Sequence, residues 1–370
     1  MVLHGPFCGC NSVMDNKQLD YIIVGQGLAG TTLAWQLHAL GQRVAVINTH
    51  QYNSSSMVAA GLYNPVTGRK MVKTWLADRL FPAIEPFYEQ LQQLTGQQFL
   101  HPVRVYRPFV AVQEQNEWHE RAATPVFAPY VAQVHSAPQY AAYQADPLGG
   151  ICLGMSGYLD VPAFLLAMRQ WFTSQGMYIE GHFEAGNLQL TEEALTYGNF
   201  TARGLIFCEG TAAQQNPWFG WLPFRPVKGQ TMLLAANAPL QHIVNRGVFV
   251  IPKAPNRLKV GATYQHHDST PDPTAEGLQQ LTGKLNQLMQ MPYEVVGQSA
   301  GIRPATADRR PFLGRHPAHK QLAIMNGLGS KGVSLAPYFA GQLAAHLVNG
   351  APLQQEVNIH RFFSLYYKHQ

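Results

Sequence analysis

Charged residues are scarce in this chain of 370 residues. Asp, Glu, Lys and Arg together make up 13% of it, which is about half the share found in ordinary globular domains. The 26 Lys and Arg exceed the 21 Asp and Glu, giving a net charge of +5, but no block of basic residues stands out. The composition is therefore compatible with anionic ligands and does not indicate a dedicated nucleic-acid-binding protein.

Cysteine is also rare, with four residues in the chain. These are too few for a disulfide framework in a protein of this size, so we expect a reducing, cytoplasmic compartment. Cys8 and Cys10 form a C-x-C pair, but no second pair or matching histidine spacing accompanies it, and we expect no metal site. The cluster His266, His267 and Asp268 does not change this, because adjacent residues of a strand point to opposite faces. We expect that cluster at a solvated hairpin end.

The sequence pattern indicates neither a secretory signal nor a membrane span. Residues 1–16 contain no basic segment followed by an apolar one, and we expect residues 1–18 to be an N-terminal extension, with Met14 as an alternative start. The longest uncharged stretch, residues 332–355, is interrupted by proline and polar residues. Its apolar residues recur every four positions from Leu335 to Leu347, which predicts a soluble core helix.

A glycine-rich turn follows the first predicted strand, residues 21–24. Gly25, Gly27 and Gly30 have the G-x-G-x-x-G spacing that is typical of dinucleotide-binding folds. The first glycine permits a tight turn, the second lets the backbone approach a pyrophosphate, and the third lets the helix pack on the strand. A helix that ends at Gly41 and a second strand over residues 43–47 complete the unit. The amides at the start of this helix are expected to face the phosphates.

The second predicted strand ends in Asn48, where this fold usually places an acidic residue that binds the ribose hydroxyls. The amide oxygen of Asn48 can still accept a hydrogen bond. Without a carboxylate at this position, a 2'-phosphate would not be repelled, so Asn48 does not exclude NADP as the cofactor. No arginine follows nearby, which favours FAD or NAD.

A second glycine cluster near the end of the chain distinguishes these two cofactors. A predicted strand over residues 322–325 is followed by Gly327, Gly329 and Gly332, and the last of these opens the predicted core helix. A helix N-terminus aimed at a ligand stabilises negative charge, such as that which develops on the N1 and C2 carbonyl side of a reduced flavin. A nicotinamide enzyme has no need of such a loop, so the two clusters together favour FAD.

Further segments carry a resemblance to a known family. They are S-S-S-M-V-A-A-G-L-Y-N-P (54–65), G-Y-L-D-V-P (157–162), L-I-F-C-E-G (205–210), P-V-K-G-Q-T (226–231), I-P-K with V-G-A-T (251–263), G-I-R-P-A-T-A-D-R-R-P (301–311) and G-L-G-S-K-G (327–332). From Leu19 onward, the chain resembles the FAD-dependent D-amino-acid oxidase superfamily. Glycine oxidase, sarcosine oxidase and the oxidase half of the tRNA 5-methylaminomethyl-2-thiouridine biosynthesis protein belong to it.

This resemblance implies an α/β fold, α+β overall, in which a Rossmann-like, glutathione-reductase-type FAD domain is interrupted by a mixed-sheet substrate domain. The FAD domain would comprise residues 19–80, 150–221 and 297–370, and the substrate domain residues 81–149 and 222–296. Strand-like alternation over residues 103–112 and a predicted helix over residues 276–289 agree with it. No cysteine follows Leu322, where sarcosine oxidase attaches its flavin, so the FAD should be bound noncovalently.

The resemblance also implies which residues contact FAD. They are Gly25, Gly27, Leu28, Ala29, Gly30, Asn48, Ser54, Ser55, Ser56, Gly61, Leu62, Phe183, Gly210, Arg303, Gly327, Gly329, Ser330, Lys331, Gly332 and Val333. The three serines would contact phosphate or ribitol, or else cap a helix. Phe183 would lie on a strand whose backbone contacts the adenine.

Arg303 is the first predicted catalytic residue, because it stands where glycine oxidase and D-amino-acid oxidase bind the substrate carboxylate. Its planar fork suits bidentate carboxylate binding, while the alternative is a structural pair with Asp308. Phe249 takes the place of a tyrosine found in carboxylate-binding relatives, so Arg303 would lack a hydroxyl partner. A small free amino acid such as glycine is therefore in doubt as the substrate.

Three further catalytic candidates lie in two loops. Tyr63 and Arg69, with Lys70 beside them, are possible replacement donors for the missing hydroxyl, and the alternative is a solvated loop. Lys331, within the second glycine cluster, is expected near the pyrimidine edge of the flavin, where a cation would favour the anionic reduced form. The alternative for Lys331 is a surface lysine.

The activity that the resemblance implies is oxidation of a C–N bond of an amino acid or secondary amine to an imine, by hydride transfer to flavin N5. Oxygen or another acceptor would reoxidise the flavin, and the cofactor carries the chemistry. One alternative is oxidation of a carboxymethylaminomethyl group on a tRNA wobble uridine, because residues 54–65 and 329–337 look most like the tRNA-modifying oxidase. The small charge excess counts against tRNA as a partner. Another alternative is a dehydrogenase that passes electrons to a partner chain.

Overall fold

The computed structural model describes residues 17–49 and 55–368. The expectations that concern Cys8, Cys10, Met14 and Ser54 therefore lie outside the described residues, as does most of the predicted N-terminal extension. Within the described residues, helices and strands alternate in a mixed α/β arrangement. The predicted fold class is confirmed.

The strands of the described residues are numbered in chain order. They are β1 (Lys17–Gln18), β2 (Tyr21–Val24), β3 (Val44–Asn48), β4 (Leu62–Tyr63), β5 (Val66–Thr67), β6 (Val72–Lys73), β7 (Leu100–Pro102), β8 (Val105–Pro108), β9 (Val131–His135), β10 (Gly150–Leu153), β11 (Gly157–Leu159), β12 (Tyr178–Glu180), β13 (Leu188–Leu190), β14 (Leu195–Tyr197), β15 (Phe200–Ala202), β16 (Gly204–Phe207), β17 (Val227–Ala235), β18 (Ile243–Arg246), β19 (Val248–Ala254), β20 (Arg257–Gly261), β21 (Glu294–Arg303), β22 (Phe312–Arg315) and β23 (Leu322–Asn326).

The helices are numbered in the same way. They are α1 (Leu28–Ala39), α2 (Ser55–Val58), α3 (Ala77–Thr95), α4 (Val112–Arg121), α5 (Val161–Ser174), α6 (Ala275–Asn286), α7 (Gly332–Asn349) and α8 (Phe363–Tyr366). Short 3-10 helices occupy Ala128–Tyr130, Ala185–Asn187, Gly210–Gln215 and Ile359–Phe362.

A six-stranded sheet contains the first predicted strand and has the order β12-β3-β2-β16-β23-β22. All of its neighbouring pairs are parallel except β22 and β23. Every residue of β2 is buried, as expected for the continuous apolar run of a strand that is covered on both faces. The strands predicted over residues 43–47 and 322–325 are confirmed as β3 and β23, each within one residue at either end.

The second large sheet has eight strands, in the order β21-β17-β20-β19-β18-β8-β10-β9. Its pairs are antiparallel except for β18 with β8, which confirms the predicted mixed sheet. Helix α6 packs on one face through Leu281 and Leu285, against a cluster that includes Met232, Val250 and Val260. Thr231, Phe249 and Gly261 belong to the opposite face.

The prediction for residues 103–112 is only half right. Strand β8 ends at Pro108, and helix α4 begins at Val112. Trp118 is the buried residue of that helix, and its other side chains are mostly polar, so the alternation that suggested a strand breaks off where a surface helix starts. The helix predicted over residues 276–289 is observed as α6, with Thr274 at its N-cap accepting from the Gly277 amide.

The predicted core helix near the end of the chain is confirmed as α7, which buries Leu335, Phe339 and Leu347. Pro337 within it has no N–H to donate to the Val333 carbonyl. The hydroxyl of the fully buried Tyr88 donates to that carbonyl instead, at 3.0 Å. Among the described residues, no helix combines the length and the apolar character that crossing a membrane requires.

Two segments of the predicted FAD domain contribute strands to both large sheets. Residues 150–221 contribute β12 and β16 to the six-stranded sheet and β10 to the eight-stranded sheet. Residues 297–370 contribute β22 and β23 to the former and most of β21 to the latter. The boundaries of the division stay a prediction.

Candidate cofactor and substrate site

A cavity of about 2080 Å³ is lined by residues of both large sheets. It exceeds the roughly 300–1,000 Å³ of a typical small-molecule pocket. Its lining includes the N-terminal ends of α1 and α7, residues 55–64 and 66–69, and the face of the eight-stranded sheet that α6 leaves open. The space therefore suits a dinucleotide together with a second ligand.

The first glycine cluster forms one wall of this cavity. Gly25 has a φ of +98°, and a Cβ there would lie 2.6 Å from the Cys208 carbonyl oxygen. A Cβ on Gly30 would lie 1.8 Å from the Gly25 carbonyl oxygen, while one on Gly27 would meet only the Ser56 hydroxyl, at 3.2 Å. The turn and the packing expected of the first and third glycines are thus observed, and Gly27 faces the cavity.

Asn48 and Ser56 brace this turn with their side chains. Asn48 Oδ1 accepts from the Gln26 amide at 3.0 Å, and Asn48 Nδ2 donates to the Thr49 carbonyl at 2.8 Å. The Leu28 amide, at the start of α1, points to the Ser56 hydroxyl at 3.5 Å. Ser55 also lines the cavity. A contact of these side chains with a ribose or phosphate stays a prediction.

The second glycine cluster meets the first. A Cβ on Gly332 would lie 2.8 Å from Leu28 Cδ1, so the N-termini of α7 and α1 adjoin. Gly327 has a φ of +77° and is packed against Thr306, while Asn326 Nδ2 donates to the Gly210 carbonyl at 2.9 Å. The remaining predicted contacts of these loops also line the cavity: Ala29, Gly329, Ser330 and Val333. The first N–H groups of both helices have no partner within their helix and can bind an anion.

Lys331 stands at the N-cap of α7 and reaches into the cavity. Its Nζ donates to the hydroxyls of Thr67, at 3.3 Å, and Thr74, at 3.0 Å. Burial lowers the pKa of Lys331 to about 8, with a smaller contribution from the charge of Arg310. The alternative of a free surface lysine is therefore wrong, and sequence reasoning missed the two threonines that hold Nζ.

Residues 55–62 lie between the glycine turn and the eight-stranded sheet. Gly61 has a φ of +72°, and a Cβ there would lie 1.8 Å from the Leu159 carbonyl oxygen. Lys259 Nζ donates to the carbonyls of Val58, at 2.9 Å, and Ala59, at 3.0 Å. Burial lowers the pKa of Lys259 to about 8. Lys259 thus ties the segment that carries Gly61 and Leu62 to β20, a role that the sequence did not indicate.

Arg303 ends β21 and lies across the neighbouring strand. Its Nη1 donates to the Thr263 carbonyl at 3.3 Å, and its guanidinium carbon is 4.3 Å from the centre of the Tyr264 ring. A Cβ on Gly229 would lie 2.0 Å from Arg303 Nη2, so only glycine leaves room for this side chain. Burial lowers the pKa of Arg303.

No acidic side chain of the described residues pairs with Arg303. Asp308 accepts instead from Arg361 Nε at 2.9 Å, so the structural pair of Arg303 with Asp308 is not formed. Arg303 therefore keeps donors of its planar fork for a ligand in the cavity. Sequence reasoning missed Gly229, although this residue lies in the P-V-K-G-Q-T segment.

The residues considered as partners of Arg303 differ in their exposure to solvent. Phe249 lines the cavity, where it packs over Gly261. Tyr63 is buried, and its hydroxyl donates to Glu85 Oε1 at 3.4 Å. Arg69 is exposed and lines the cavity, while Lys70 is exposed outside the lining. The exposed Arg69 and Lys70 fit the solvated-loop alternative, and a catalytic role for Tyr63 or Arg69 stays a prediction.

Phe183 is not on a strand, which corrects the prediction. Strand β12 ends at Glu180, and Phe183 follows in a loop, where it stacks on Tyr197 and stands edge-on to Phe207. The packing of its ring against these aromatic side chains, rather than a β ladder, places it in the cavity lining.

The His-His-Asp cluster follows β20 in a segment that is partly exposed to solvent. His266 and His267 are exposed, and the described residues contain no group of three or more His, Cys, Asp or Glu that could hold a metal ion. Asp268, however, binds Nζ of the fully buried Lys228, which lowers the pKa of the carboxyl to about 2. The Asp268 side chain is 35% exposed, so its position is solvated as predicted. The sequence did not indicate that it also supplies the counter-charge that a buried ammonium needs.

The model of the DAO family, described as FAD dependent oxidoreductase, matches residues 20–347. This chain belongs to that family. It is 27% identical to the bifunctional protein ThiO/ThiG of Synechocystis, an alignment that covers 93% of this chain and 53% of that protein. It is 26% identical to glycine oxidase of Geobacillus kaustophilus, over 89% of this chain and 92% of that enzyme. The chain thus spans about half the length of ThiO/ThiG.

The fold of this oxidoreductase agrees with a solved relative. The crystal structure of glycine oxidase from Geobacillus kaustophilus superposes with a TM-score of 0.75 at 22% identity, covering 93% of this chain and 98% of that one. At this identity the superposition shows a shared fold.

The cavity of this FAD-dependent oxidoreductase fits its cofactor. Two adjoining helix N-termini offer amides to a pyrophosphate, and the open side of Gly27 lets the ligand approach the backbone. Glu209 is the one acidic residue in the described part of the lining. Burial raises its pKa, and Asn216 Nδ2 donates to its Oε2 at 2.8 Å. Sequence reasoning missed Glu209, although it directly precedes Gly210.

Proposed function

We propose that this oxidoreductase oxidises the C–N bond of an amino acid or secondary amine that carries a carboxylate. The observation that carries the proposal is Arg303, a cation without an acidic partner among the described residues, whose side chain lies in a cofactor-sized cavity. When bound, FAD supplies the acceptor for the hydride that leaves the carbon next to nitrogen, and the amine becomes an imine. Water then hydrolyses the imine to a carbonyl product.

Arg303 binds and orients the substrate in this proposal. The Thr263 carbonyl and the Tyr264 ring fix its guanidinium, so the remaining N–H groups can form a bidentate pair with a carboxylate. A carboxylate bound in this way fixes the orientation of the substrate, so that its reacting C–H bond faces the flavin. Hydride transfer from this bond does not need a side-chain base. Phe249 contributes an apolar surface that excludes water from the same region.

Lys331 stabilises negative charge at the opposite wall. Its Nζ is held between two threonine hydroxyls beside the free amides of α7, a position suited to the anionic form of a reduced cofactor. Oxygen is the simplest acceptor for the electrons. The cytoplasmic location expected from the low cysteine content stays a prediction.

The first experiment is an anaerobic titration of the FAD-loaded protein with amino acids, N-methyl amino acids and cyclic imino acids, followed by visible absorbance. We expect one class to bleach the flavin, and admission of oxygen to restore the colour. A protein that binds FAD but is bleached by none of these classes would contradict the proposal.

The Arg303→Leu variant tests the named residue. Loss of charged hydrogen bonds worth about 1.5–3 kcal/mol predicts a KM raised roughly 10- to 150-fold, with FAD still bound. Arg303→Lys is the matched control, because it keeps the charge and loses the planar fork. Unchanged affinity for carboxylates in Arg303→Leu would remove Arg303 from the site.

A second candidate is oxidation of a carboxylate-bearing amine on tRNA. The observation that favours it is the excess of basic over acidic side chains in the cavity lining, which includes exposed Arg69. Binding of tRNA would weaken steeply as salt is raised from 50 to 200 mM, as phosphate contacts do. A filter-binding series over that range, with free amino acids in parallel, separates the two candidates.

A further inference from the structure

The cavity contains more positive charge than the cofactor and one carboxylate require. Basic side chains occur along its whole lining, against the single acidic residue Glu209 in the described part. Arg303 and Lys331 serve the two groups discussed above. Arg107, Arg246 and Arg69 form a separate group in the lining, in which Arg69 is exposed and Arg107 is largely buried.

Arg107 is the best defined member of this group. Its side chain is 10% exposed and lines the cavity. Its Nη2 donates to the Arg69 carbonyl at 3.3 Å, while its Nε is buried without any hydrogen-bond partner. The nearest carboxylate oxygen, Glu114 Oε1, is 3.7 Å from Nε, which is too far for a hydrogen bond.

Glu114 is already engaged by another cation of the group. Arg246 Nη1 donates to both of its carboxylate oxygens, at 3.0 and 2.9 Å. One carboxylate thus faces two guanidinium groups, which leaves a net positive charge. Burial, and next the charge of Arg246, lower the pKa of Arg107, and the opposite charge of Glu114 counteracts them in part. Two guanidinium groups beside one carboxylate are unfavourable in a largely buried position, and an oxyanion in the cavity would balance the excess positive charge.

Arg107 and Arg303 belong to the same face of the eight-stranded sheet. Cross-strand pairs lead from Thr231 on β17 through Gly261 and Phe249 to Asn245 on β18, which neighbours β8 with Arg107. All of these residues line the cavity. Strands lie about 4.8 Å apart, so β17, which Arg303 overlies, is roughly 19 Å from β8. One elongated ligand can reach both cations.

We propose that Arg107, with Arg246 and Arg69, forms a second anion subsite, and that the substrate is an elongated amine with two acidic groups. This inference rests on the proposed function, since Arg303 binds the carboxylate next to the reacting carbon. The distal group is a carboxylate or a phosphate. The burial of Arg107 favours a small molecule that enters the cavity over a polyanion that docks on the surface.

The test uses the FAD-loaded protein and the change in flavin absorbance when carboxylates bind. The probes are straight-chain α,ω-dicarboxylates from three to ten carbons, monocarboxylates of the same lengths, and the corresponding ω-phosphonocarboxylates. We expect one chain length at which the dianion binds at least tenfold more tightly than the monocarboxylate. The phosphonate series decides between the two distal groups. Equal affinities at every length would overturn the proposal.

Variants show which residues cause the tighter binding of the dianion. Arg107→Gln should abolish the advantage of the dianion and leave monocarboxylate affinity unchanged, while Glu114→Gln should increase that advantage about threefold. Exposed Arg69→Gln, which leaves the buried core untouched, should reduce it and replaces Arg107→Gln if that variant loses FAD. Arg257→Gln is the matched control, because Arg257 is exposed on the same sheet and outside the lining.

The two proposals fail in distinguishable ways. If monocarboxylates bind through Arg303 and dianions gain nothing, the second subsite is wrong and the proposed function stands. If no carboxylate binds, or Arg303→Leu changes no affinity, the proposed function fails as well. If dianions keep the same affinity advantage in Arg107→Gln and Arg69→Gln, the second anion subsite is not formed by these residues.

Discussion

The two ends of the cavity are built in different ways. At the cofactor end, two adjoining glycine loops line the wall, and Gly25, Gly30 and Gly327 are closely packed. At the substrate end, side chains from residues far apart in the chain, such as Arg107 and Arg303, lie on one sheet face. From this difference we expect changes at the first end to affect folding and FAD binding, and changes at the second end to alter which substrate binds.

Gly30→Ala should break the cofactor end and have the largest effect. The new Cβ would lie 1.8 Å from a backbone oxygen, and overpacking of this kind costs about 3 kcal/mol. We expect a lower free energy of unfolding and loss of bound FAD, measured by denaturant unfolding and flavin content. Gly283→Ala is the control, because nothing lies within 4 Å of its Cβ position in α6, and helix propensity favours Ala by roughly 1 kcal/mol. Retention of FAD by Gly30→Ala would refute the packing role.

Gly229→Ala should affect the substrate end alone. Its Cβ would lie 2.0 Å from Arg303 Nη2, and the flexible guanidinium can move away from it. We expect KM for a carboxylate substrate to rise about tenfold, which corresponds to about 1.4 kcal/mol, with normal FAD content. Steady-state kinetics of Gly229→Ala beside Arg303→Leu measure it. Additive effects in the double variant would show that Gly229 does not act through Arg303.

Lys331→Met tests the positive charge in the second glycine loop. The pKa of Lys331 is about 8, so the cation is present below that pH and lost above it. Sulfite, which adds to flavins and places negative charge on them, should bind about tenfold more weakly above pH 8, and the variant should lack this transition. Exposed Lys320→Met is the control. A pH profile of Lys331→Met like that of the unaltered protein would place the charge elsewhere.

Glu209→Gln should have the smallest effect. Burial raises the pKa of Glu209, so rising pH creates a carboxylate close to the glycine turn, where the FAD phosphates are expected. We expect FAD affinity to fall about threefold as this group ionises, and the fall to be absent in Glu209→Gln. Equilibrium dialysis of FAD across the pH range measures it, with exposed Glu192→Gln as the control. If FAD affinity falls more steeply with pH in Glu209→Gln than in the unaltered protein, the Glu209 carboxylate does not weaken FAD binding.

The wrong predictions share a physical cause. The continuous strand over residues 103–112 was inferred from a local pattern, and the strand at Phe183 from the resemblance to the family. In the fold, Phe183 packs against the aromatic rings of Tyr197 and Phe207, and helix α4 packs through Trp118. Local sequence does not record such contacts, because partners far apart in the chain create them.

The sequence by itself determined the family, the cofactor and both glycine loops, since the spacing of glycines directly encodes tight turns and close backbone approach. It also indicated Arg303 and Lys331 as site residues, and both line the cavity. Only the tertiary structure decided which groups surround them. The register of β17 against β21 brings Gly229 beneath Arg303, and the order of eight strands brings Arg107 to the same face. Sheet pairing is nonlocal, and so the substrate end could not be derived from residue patterns alone.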